Sequence, residues 1–528
     1  MTGRYFSAGL ALVLLAAVAC GRKENVPEPV PEPLLRSVTV LQDSVVLSDD
    51  GSIELSFTVK DPDFVFTELL LQTDAGAAPE EFSLLRFTRA AEAGSYTAVL
   101  QDAGRRKKYK RQVCLAIPQR NAETGVESFV SSAFFKVSSE RQGPETGLSV
   151  VFVDTENGQE ILSKEDYVPA TIRIFGEGEY ESLPSSACSI RGRGNTTWWW
   201  PKKPYLVKLE QKASVLGMPK HKRWVLLANF MDRTLMRNLV SMKVASMTGL
   251  DWTPRCVPVE LVLNGKHQGT YLLVEQVRVD KDRVPVSEKD GFLLECDFHY
   301  DNEIQWTDPH GHNGQWGDGI PFGIKNPDPD DITEEQINYI RQYITETAEV
   351  LYGEDFAHPE TGYARYLDVD SFVDYWLVFE VMCNHELGNP GSVFLHMDRG
   401  GKLIAGPCWD FDWGILSFHT SPGEYDLVNA KAFWYERLFR DPAFKEKVKA
   451  RFQELLPRLQ TIPAYMDECE ALLTESARLN FQMWNPADDR SQNGGNIING
   501  DENLSFHNAV KRLKDNYNTH LKVMARKL

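Results

Sequence analysis

Residues 384–414 read NHELGNPGSVFLHMDRGGKLIAGPCWDFDWG. The pattern is a helix end at Asn384, a polar loop carrying Glu386, a short hairpin, and a strand closing on Asp410-Phe411-Asp412. In extended chain, residues i and i+2 project on one face, which sets the two carboxylates side by side. Carboxylates so placed repel unless a cation lies between them or other groups separate them. Oxygen-only ligands suit a hard ion such as Mg²⁺, Mn²⁺ or Ca²⁺. The plainer alternatives are that Asp410 caps a turn and that Asp412 pairs with an arginine such as Arg399. Leu403 to Ala405 and the interleaved Trp409, Phe411 and Trp413 put the acids at the rim of a packed sheet. Uncompensated charge is costly there, so the pair points to a cation or to catalysis.

Upstream, residues 189–209 read SIRGRGNTTWWWPKKPYLVKL. Arg191 and Arg193 share a face if extended, and Gly192 and Gly194 leave the backbone open to close approach. Lys202, Lys203 and Lys208 follow. Two readings stand together: these cations bind a phosphate or carboxylate group, or they pair with the chain's own plentiful acids. The segment is not a Walker A sequence. The three tryptophans read as packing beneath the loop rather than as a sugar platform. Further on, Asp232 is placed to cap a helix running to about Thr248, with Arg237 and Asn238 as polar residues in a core-like pattern. Those two either face a site or solvate one side. A hairpin turning at Asn264-Gly265 ends at Glu275, which is exposed, paired or positioned for a ligand. Residues 301–331 read as a long polar surface loop. Thr333 to Gln336 is a capping box, and the chain from Ala432 on is mainly helical with a polar gap at Asn485–Asn503.

The first residues speak to compartment. Phe6 to Val18 is apolar but too short for a comfortable membrane span. Ala16, Ala17 and Ala19 lead to Cys20-Gly21, so residues 1–19 read as a secretory leader. A cysteine at that point is the bacterial lipoprotein arrangement; an ordinary signal peptide is the alternative. Cleavage would leave Cys20 lipidated, and VPEPVPEP within residues 20–34 would form a stiff spacer. The expectation is an exported lipoprotein at the outer membrane or cell surface, touching the membrane through its anchor only. The formal net charge of −18 argues against a direct grip on nucleic acid. The other cysteines show no CxxC spacing and are odd in number, which leaves zinc sites and a disulfide scaffold unsupported.

Residues 35–138 alternate apolar and polar over several short runs split by Asp, Gly and Pro turns. That is the pattern of an all-β, immunoglobulin-like sandwich, with spacing or adhesion as its role. Residues 139–147 read as a linker. Residues 148–528 mix strands and helices and end in a helical part, so the whole is a multidomain α+β protein.

The motifs IRGRGNTTW with KKPYLVKL, DRTLMRN, GTYLLVEQV and PCWDFDWG occur in that order within residues 148–528. Through them the chain resembles the CotH family, named for a bacterial spore-coat protein and regarded as atypical protein kinases. The resemblance implies a kinase-like fold and ATP or another nucleotide with Mg²⁺ or Mn²⁺ as cofactor. It implies phosphate transfer to Ser or Thr of an exported protein. On that reading Arg191, Arg193, Lys203, Lys208 and Glu275 surround the nucleotide, Asp410 and Asp412 hold the metal, and Glu386 with Asp410 is catalytic. An acidic loop, a hairpin and then a metal-binding acid is the order protein kinases use. One departure stands out: kinase-active relatives carry Asp in the loop after the helix, often followed by Asn, where this chain has Glu386 and Asn389-Pro390. Glu is one methylene longer, and catalytic geometry tolerates little displacement. The contrasting expectation is a non-catalytic, anchored surface protein whose acids and arginines pair with one another.

Overall fold

A computed structural model describes residues 37–48, 52–60, 68–73, 82–102, 108–120, 124–140, 143–299, 302–313, 317–417, 427–488, 499–501 and 503–528. The leader, Cys20 and the proline spacer lie outside the described residues. The chain divides into two compact units, Met1–Glu140 and Arg141–Leu528.

The first unit contains β1 (Val38–Val40), β2 (Ser44–Val46), β3 (Ser52–Val59), β4 (Leu70–Gln72), β5 (Phe82–Arg89), β6 (Ser95–Asp102), β7 (Lys108–Arg120), β8 (Glu127–Ser131) and β9 (Phe135–Glu140). They form two sheets, ordered β1-β3-β6-β5 and β2-β9-β7-β4, with β8 also on β7. Period-2 alternation builds the shared core. Ile53, Leu55 and Phe57 face inward opposite Leu100, Ala98 and Tyr96, and meet Val113, Leu115 and Val137 of the other sheet.

The second unit opens with a closed seven-stranded barrel. Its strands are β10 (Ser149–Thr155), β11 (Val168–Phe175), β12 (Leu183–Gly192), β13 (Tyr205–Val215), β14 (Met218–Leu227), β15 (Cys256–Leu263) and β16 (Lys266–Glu275), and β10 closes on β15 in parallel. Val151, Ile190, Val207, Trp224 and Leu273 fill the interior. Leu206, Val225, Leu272 and Val274 point the other way and join a second, larger core. That core is covered by a sheet ordered β18-β19-β17-β20-β21, formed by β17 (Gly291–Cys296), β18 (Gln305–Asn313), β19 (Gly317–Asn326), β20 (Val393–Asp398) and β21 (Ile404–Ala405).

Eight helices complete the second unit among the described residues: α1 (Thr196–Trp199), α2 (Arg237–Ala245), α3 (Glu334–Tyr352), α4 (Val369–Val381), α5 (Tyr435–Leu438), α6 (Pro442–Leu459), α7 (Ile462–Met483) and α8 (Phe506–Lys527). From Ser371 on, α4 is buried on every side, its Asp374 met by Arg451 and its Glu380 by the Val428 and Asn429 N–H groups. The capping box at Thr333 starts α3 with both reciprocal bonds made.

Residues 301–331 depart from the expected surface loop. Most of the segment is the β18–β19 hairpin, pairing Trp306 with Phe322 and Asp308 with Ile320. The alternation Ile320, Phe322, Ile324 was the signal, masked by the glycines and prolines between. Of the three tryptophans, Trp200 is buried, Trp198 packs on Gly192, and Trp199 is exposed. No helix among the described residues is long and apolar enough to cross a membrane. Cys114, Cys188, Cys256, Cys296, Cys383, Cys408 and Cys469 are free thiols.

A buried polar clasp joins the barrel to α7. Lys202 Nζ donates to the Thr270 carbonyl and, at 2.8 Å, to Asn480 Oδ1. Beside it Ser476 Oγ donates to Glu260 at 2.6 Å, and His267 Nε2 meets the other Glu260 oxygen at 2.7 Å. Burial pushes the Lys202 ammonium down to about 7, with Glu260 opposing. The unfolded group titrates near ~10.4, so above neutrality the unfolded chain holds a proton that the folded chain lacks. Stability from this group therefore rises with pH from neutrality towards ~10 and is flat below. In denaturant titrations, wild type minus Lys202→Met should grow across that window by about 1.4 kcal/mol per pH unit at most. A pH-independent difference would remove Lys202 as the titrating group.

Candidate active site

Glu386 stands in the loop after α4. Its N–H donates to Asn384 Oδ1 at 2.8 Å, and Asn384 Nδ2 makes a long 3.5 Å bond to the Asp410 carbonyl. Gly391 leaves room for the acid: a Cβ there would fall 2.6 Å from Glu386 Oε2. The hairpin β20–β21 follows, but its second strand covers only Ile404–Ala405. Gly406-Pro407 ends it, since proline has no N–H for the ladder. Asp410 and Asp412 therefore sit in irregular chain rather than on the expected strand. Asp410 has φ +62°, a conformation that Asp tolerates better than most residues. The two carboxyls nonetheless act on each other's titration.

Three buried asparagines hold this segment. Besides Asn384, Asn238 Oδ1 accepts the Phe411 N–H at 2.8 Å, midway between the acids. Asn499 Oδ1 accepts the Gly414 N–H at 3.0 Å, while its Nδ2 donates to the Asp412 and Met231 carbonyls at 3.2 and 3.0 Å. Arg237 lies beneath, fully buried. It binds Asp232, binds Asp501 at 2.7 Å, and donates from Nε to the Ile415 carbonyl at 2.9 Å. Asp232 accepts the Arg237 N–H at 2.8 Å from a turn upstream of α2, whose N-cap position is held by Met236. The N-cap thus falls at Met236, four residues later than the sequence pattern suggested, because the Asp232 carboxylate is taken up by this turn.

The electrostatics of the three acids are consistent with one another. Burial pushes Glu386 well up, and Asp410, Asp297 and Asp412 add to it. Burial raises Asp410 against the pull of Arg193, and burial followed by the Asp410 charge raises Asp412 well up. Each side chain remains partly accessible. Among the described residues no lysine or arginine lies within ion-pair distance of any of the three. Arg399, the suggested partner of Asp412, instead binds Glu335 in the first turn of α3. Among the described residues no three His, Cys, Asp or Glu side chains form a ready metal cage. The donors fit an ion such as Mg²⁺, which takes one or two carboxylates and fills its shell with water and ligand phosphate.

The basic segment divides. Arg193 is the member whose charge the acids act on, though not at ion-pair distance: burial lowers it first, Asp410, Glu295 and Asp412 oppose, and Arg191 adds to the lowering. Its guanidinium lies 5.4 Å over the Trp409 ring. Arg191 and Lys208 gather instead on Tyr167, at 5.1 and 6.0 Å from its ring. Lys203 is tied to its own loop through the Trp198 carbonyl at 2.7 Å. Glu275 is buried against Arg255 at 2.8 Å, with Arg283 at 4.0 Å, apart from the acid cluster. The open backbone expected at Gly192 is filled by Trp198, whose ring would lie 2.3 Å from a Cβ there. Gly194, at φ +83°, does need the freedom of glycine.

Sequence reasoning missed Asn384, Asn499, Asp501 and Tyr167. Only Arg237 and Asn238, polar in an apolar helix, gave a signal. Replacing Arg237 by Met should cost about 3–5 kcal/mol by stranding two buried carboxylates. A urea titration checks this, and a loss under about 1 kcal/mol would contradict the central role given to Arg237.

A family model described as CotH kinase protein matches residues 190–524. No curated protein matches the chain. The matched span exceeds half of the sequence and runs from the Arg191 loop through the acid pair to α8, so the chain belongs to the CotH kinase protein family.

Proposed function

We propose that this domain binds a nucleotide with a divalent cation and transfers phosphate to Ser or Thr of an exported protein. One observation carries the reading: Asp410 and Asp412 have no ion-pair partner among the described residues, and Arg193, seated over the Trp409 ring at 5.4 Å, carries its charge beside them. A metal–polyphosphate ligand has that charge order, with the metal towards the acids and the phosphates towards the arginines.

Asp410 and Asp412 would hold Mg²⁺ or Mn²⁺, which when bound draws charge from the phosphate oxygens. Arg193 would offset charge developing on the transferred group. Burial and then Asp410, Asp297 and Asp412 raise the Glu386 carboxyl, and a cation on Asp410 and Asp412 would offset their part and favour Glu386 as a proton acceptor. It would then accept the hydrogen of the substrate hydroxyl. We infer that Cys20 carries a lipid anchor at the outer membrane or cell surface, and that the first unit, read as immunoglobulin-like, spaces the kinase domain from it.

Transfer of label from ATP with Mn²⁺ should be lost, by at least a hundredfold, in Asp410→Ala and in Glu386→Gln. Equal transfer in wild type and both variants would overturn the reading. The longer Glu386 favours a second reading, a domain that binds without transferring. Under it, nucleotide with Mn²⁺ raises the melting midpoint by several degrees while no label moves.

Raised carboxyl pKa values mean that the folded chain keeps protons which the unfolded chain loses near ~4. These groups therefore make apo stability fall as pH rises above that value. A bound cation displaces the same protons, so Mn²⁺ affinity should increase with pH and binding should release protons. Calorimetry in two buffers of different ionisation enthalpy checks it; pH-independent affinity without proton release would contradict it.

A further inference from the structure

Of the twelve tryptophans, Trp316 lies outside the described residues. Among the others only Trp199 and Trp413 are exposed, at 67% and 52%. Trp199 ends α1, in the loop that carries Arg193, and Trp413 follows Asp412 directly. Both stand on backbone that is fixed. Asn499 grips the chain on either side of Trp413, through the Asp412 carbonyl at 3.2 Å and the Gly414 N–H at 3.0 Å. The same side chain donates to the Met231 carbonyl at 3.0 Å, and the Phe230 ring just before it stacks on Trp200 at 5.8 Å. At the other end Arg193 lies 5.4 Å over the Trp409 ring. The segments 193–200 and 409–414 are therefore tied together at both ends, and one exposed indole belongs to each.

Leu162, 77% exposed, borders the first of these segments. The Ser163 carbonyl beside it accepts the Gly192 N–H at 2.8 Å, and Lys164 Nζ donates to Asn195 Oδ1 at 3.1 Å. Single apolar side chains scattered over a surface are ordinary. Here they are not scattered. Among the described residues of the second unit the exposed large apolar side chains are Leu162, Trp199, Trp413, Leu472 and Met483, and the first three adjoin Arg193 and the acid pair. A tryptophan on fixed backbone offers a large contact area at little cost in side-chain entropy. Left in water, it forgoes the burial that its neighbour Trp200 obtains, and a ligand that covers it recovers that term.

We propose that Trp199 and Trp413 form an aromatic rim that seats an apolar side chain next to the acceptor serine or threonine, and so select which hydroxyl is phosphorylated. This rests on the proposed function, which leaves the acceptor sequence open. The occupant is a polypeptide because its hydroxyl must come to Glu386 and the acid pair. The residues flanking that hydroxyl then cross the chain next to Asp412, where Trp413 stands. Both residues select the substrate without touching the reacting atoms.

Label transfer from ATP with Mn²⁺ to synthetic peptides tests it, each peptide carrying one central serine flanked by phenylalanine, leucine, glycine or lysine. The phenylalanine and leucine peptides should show KM values roughly tenfold or more below that of the glycine peptide. Trp413→Ala and Trp199→Ala should each remove most of that advantage, while the KM for ATP, the rate on the glycine peptide and the melting midpoint stay unchanged. Trp413→Phe should keep it. Should Trp413→Ala melt early, Trp199→Ala, on the other segment, carries the test. Equal KM for every flank, a preference for lysine, or variants that match wild type overturns the rim. So does a raised KM for ATP alone, which would give the indoles to the nucleotide base. An anisotropy titration with a fluorescent phenylalanine peptide separates the two ideas. If wild type moves no label, the proposed function fails. Peptide binding that both alanine variants weaken then leaves the rim standing as a peptide-docking surface, and absence of binding removes it as well.

Discussion

Arg237 is buried without solvent, and its guanidinium joins three segments distant in sequence: the turn at Asp232, the chain after Asp412 at Ile415, and Asp501 ahead of α8. Burial alone would lower its pKa; Asp501 and Asp232 outweigh that and hold it up, so the charge is retained. A buried guanidinium is tolerable only when its donors are met, and here carboxylates on both sides and a carbonyl meet them. The consequence is an acid loop fixed from below. Asp410 and Asp412 repel, and a free loop would let them part; the asparagines at 238, 384 and 499 grip the backbone on either side of each.

This arrangement gives α8 a part in the site that its position near the end of the chain does not suggest. Arg512 donates to the Asn499 and Gly500 carbonyls at 2.5 and 2.7 Å, and Asn516 donates to the Leu416 carbonyl at 2.8 Å. Docking of α8 and the geometry of the acid pair are therefore one cooperative structure. The other end of the same region is fixed by Glu380 of α4, which accepts the Val428 and Asn429 N–H groups at 2.8 Å each. The core helix thus supports both the Glu386 loop and the chain that follows the acids.

Charge changes sign across the site: Glu386, Asp410 and Asp412 act on one another, Arg193 feels Asp410, Asp412 and Arg191, and Arg191 and Lys208 lie at Tyr167. Neither end is neutralised internally among the described residues. A relic site would be expected to collapse into private ion pairs, as Arg399 and Glu335 do at the surface and Glu275 and Arg255 do in the barrel. The contrast within one molecule separates these carboxylates, without an ion pair among the described residues, from the paired structural ones.

What the amino-acid sequence determined by itself was local. Period-2 alternation marked β3, β6 and β7, the capping box marked the start of α3, and the spacing of Asp410 and Asp412 marked a charged pair near an apolar sheet. These follow from side-chain direction and backbone geometry over a few residues. The tertiary structure decided which basic residue lies close enough for the acids to act on its charge. Arg191 and Arg193 are two apart and chemically identical, yet the end of β12 falls between them and sends one to Tyr167 and the other to Trp409. It also decided that Asn499 and Asp501, in a stretch with no period to read, close the site. Hydrogen bonds to backbone atoms some eighty residues or more away leave no local pattern, because the partner is a peptide group that every residue carries.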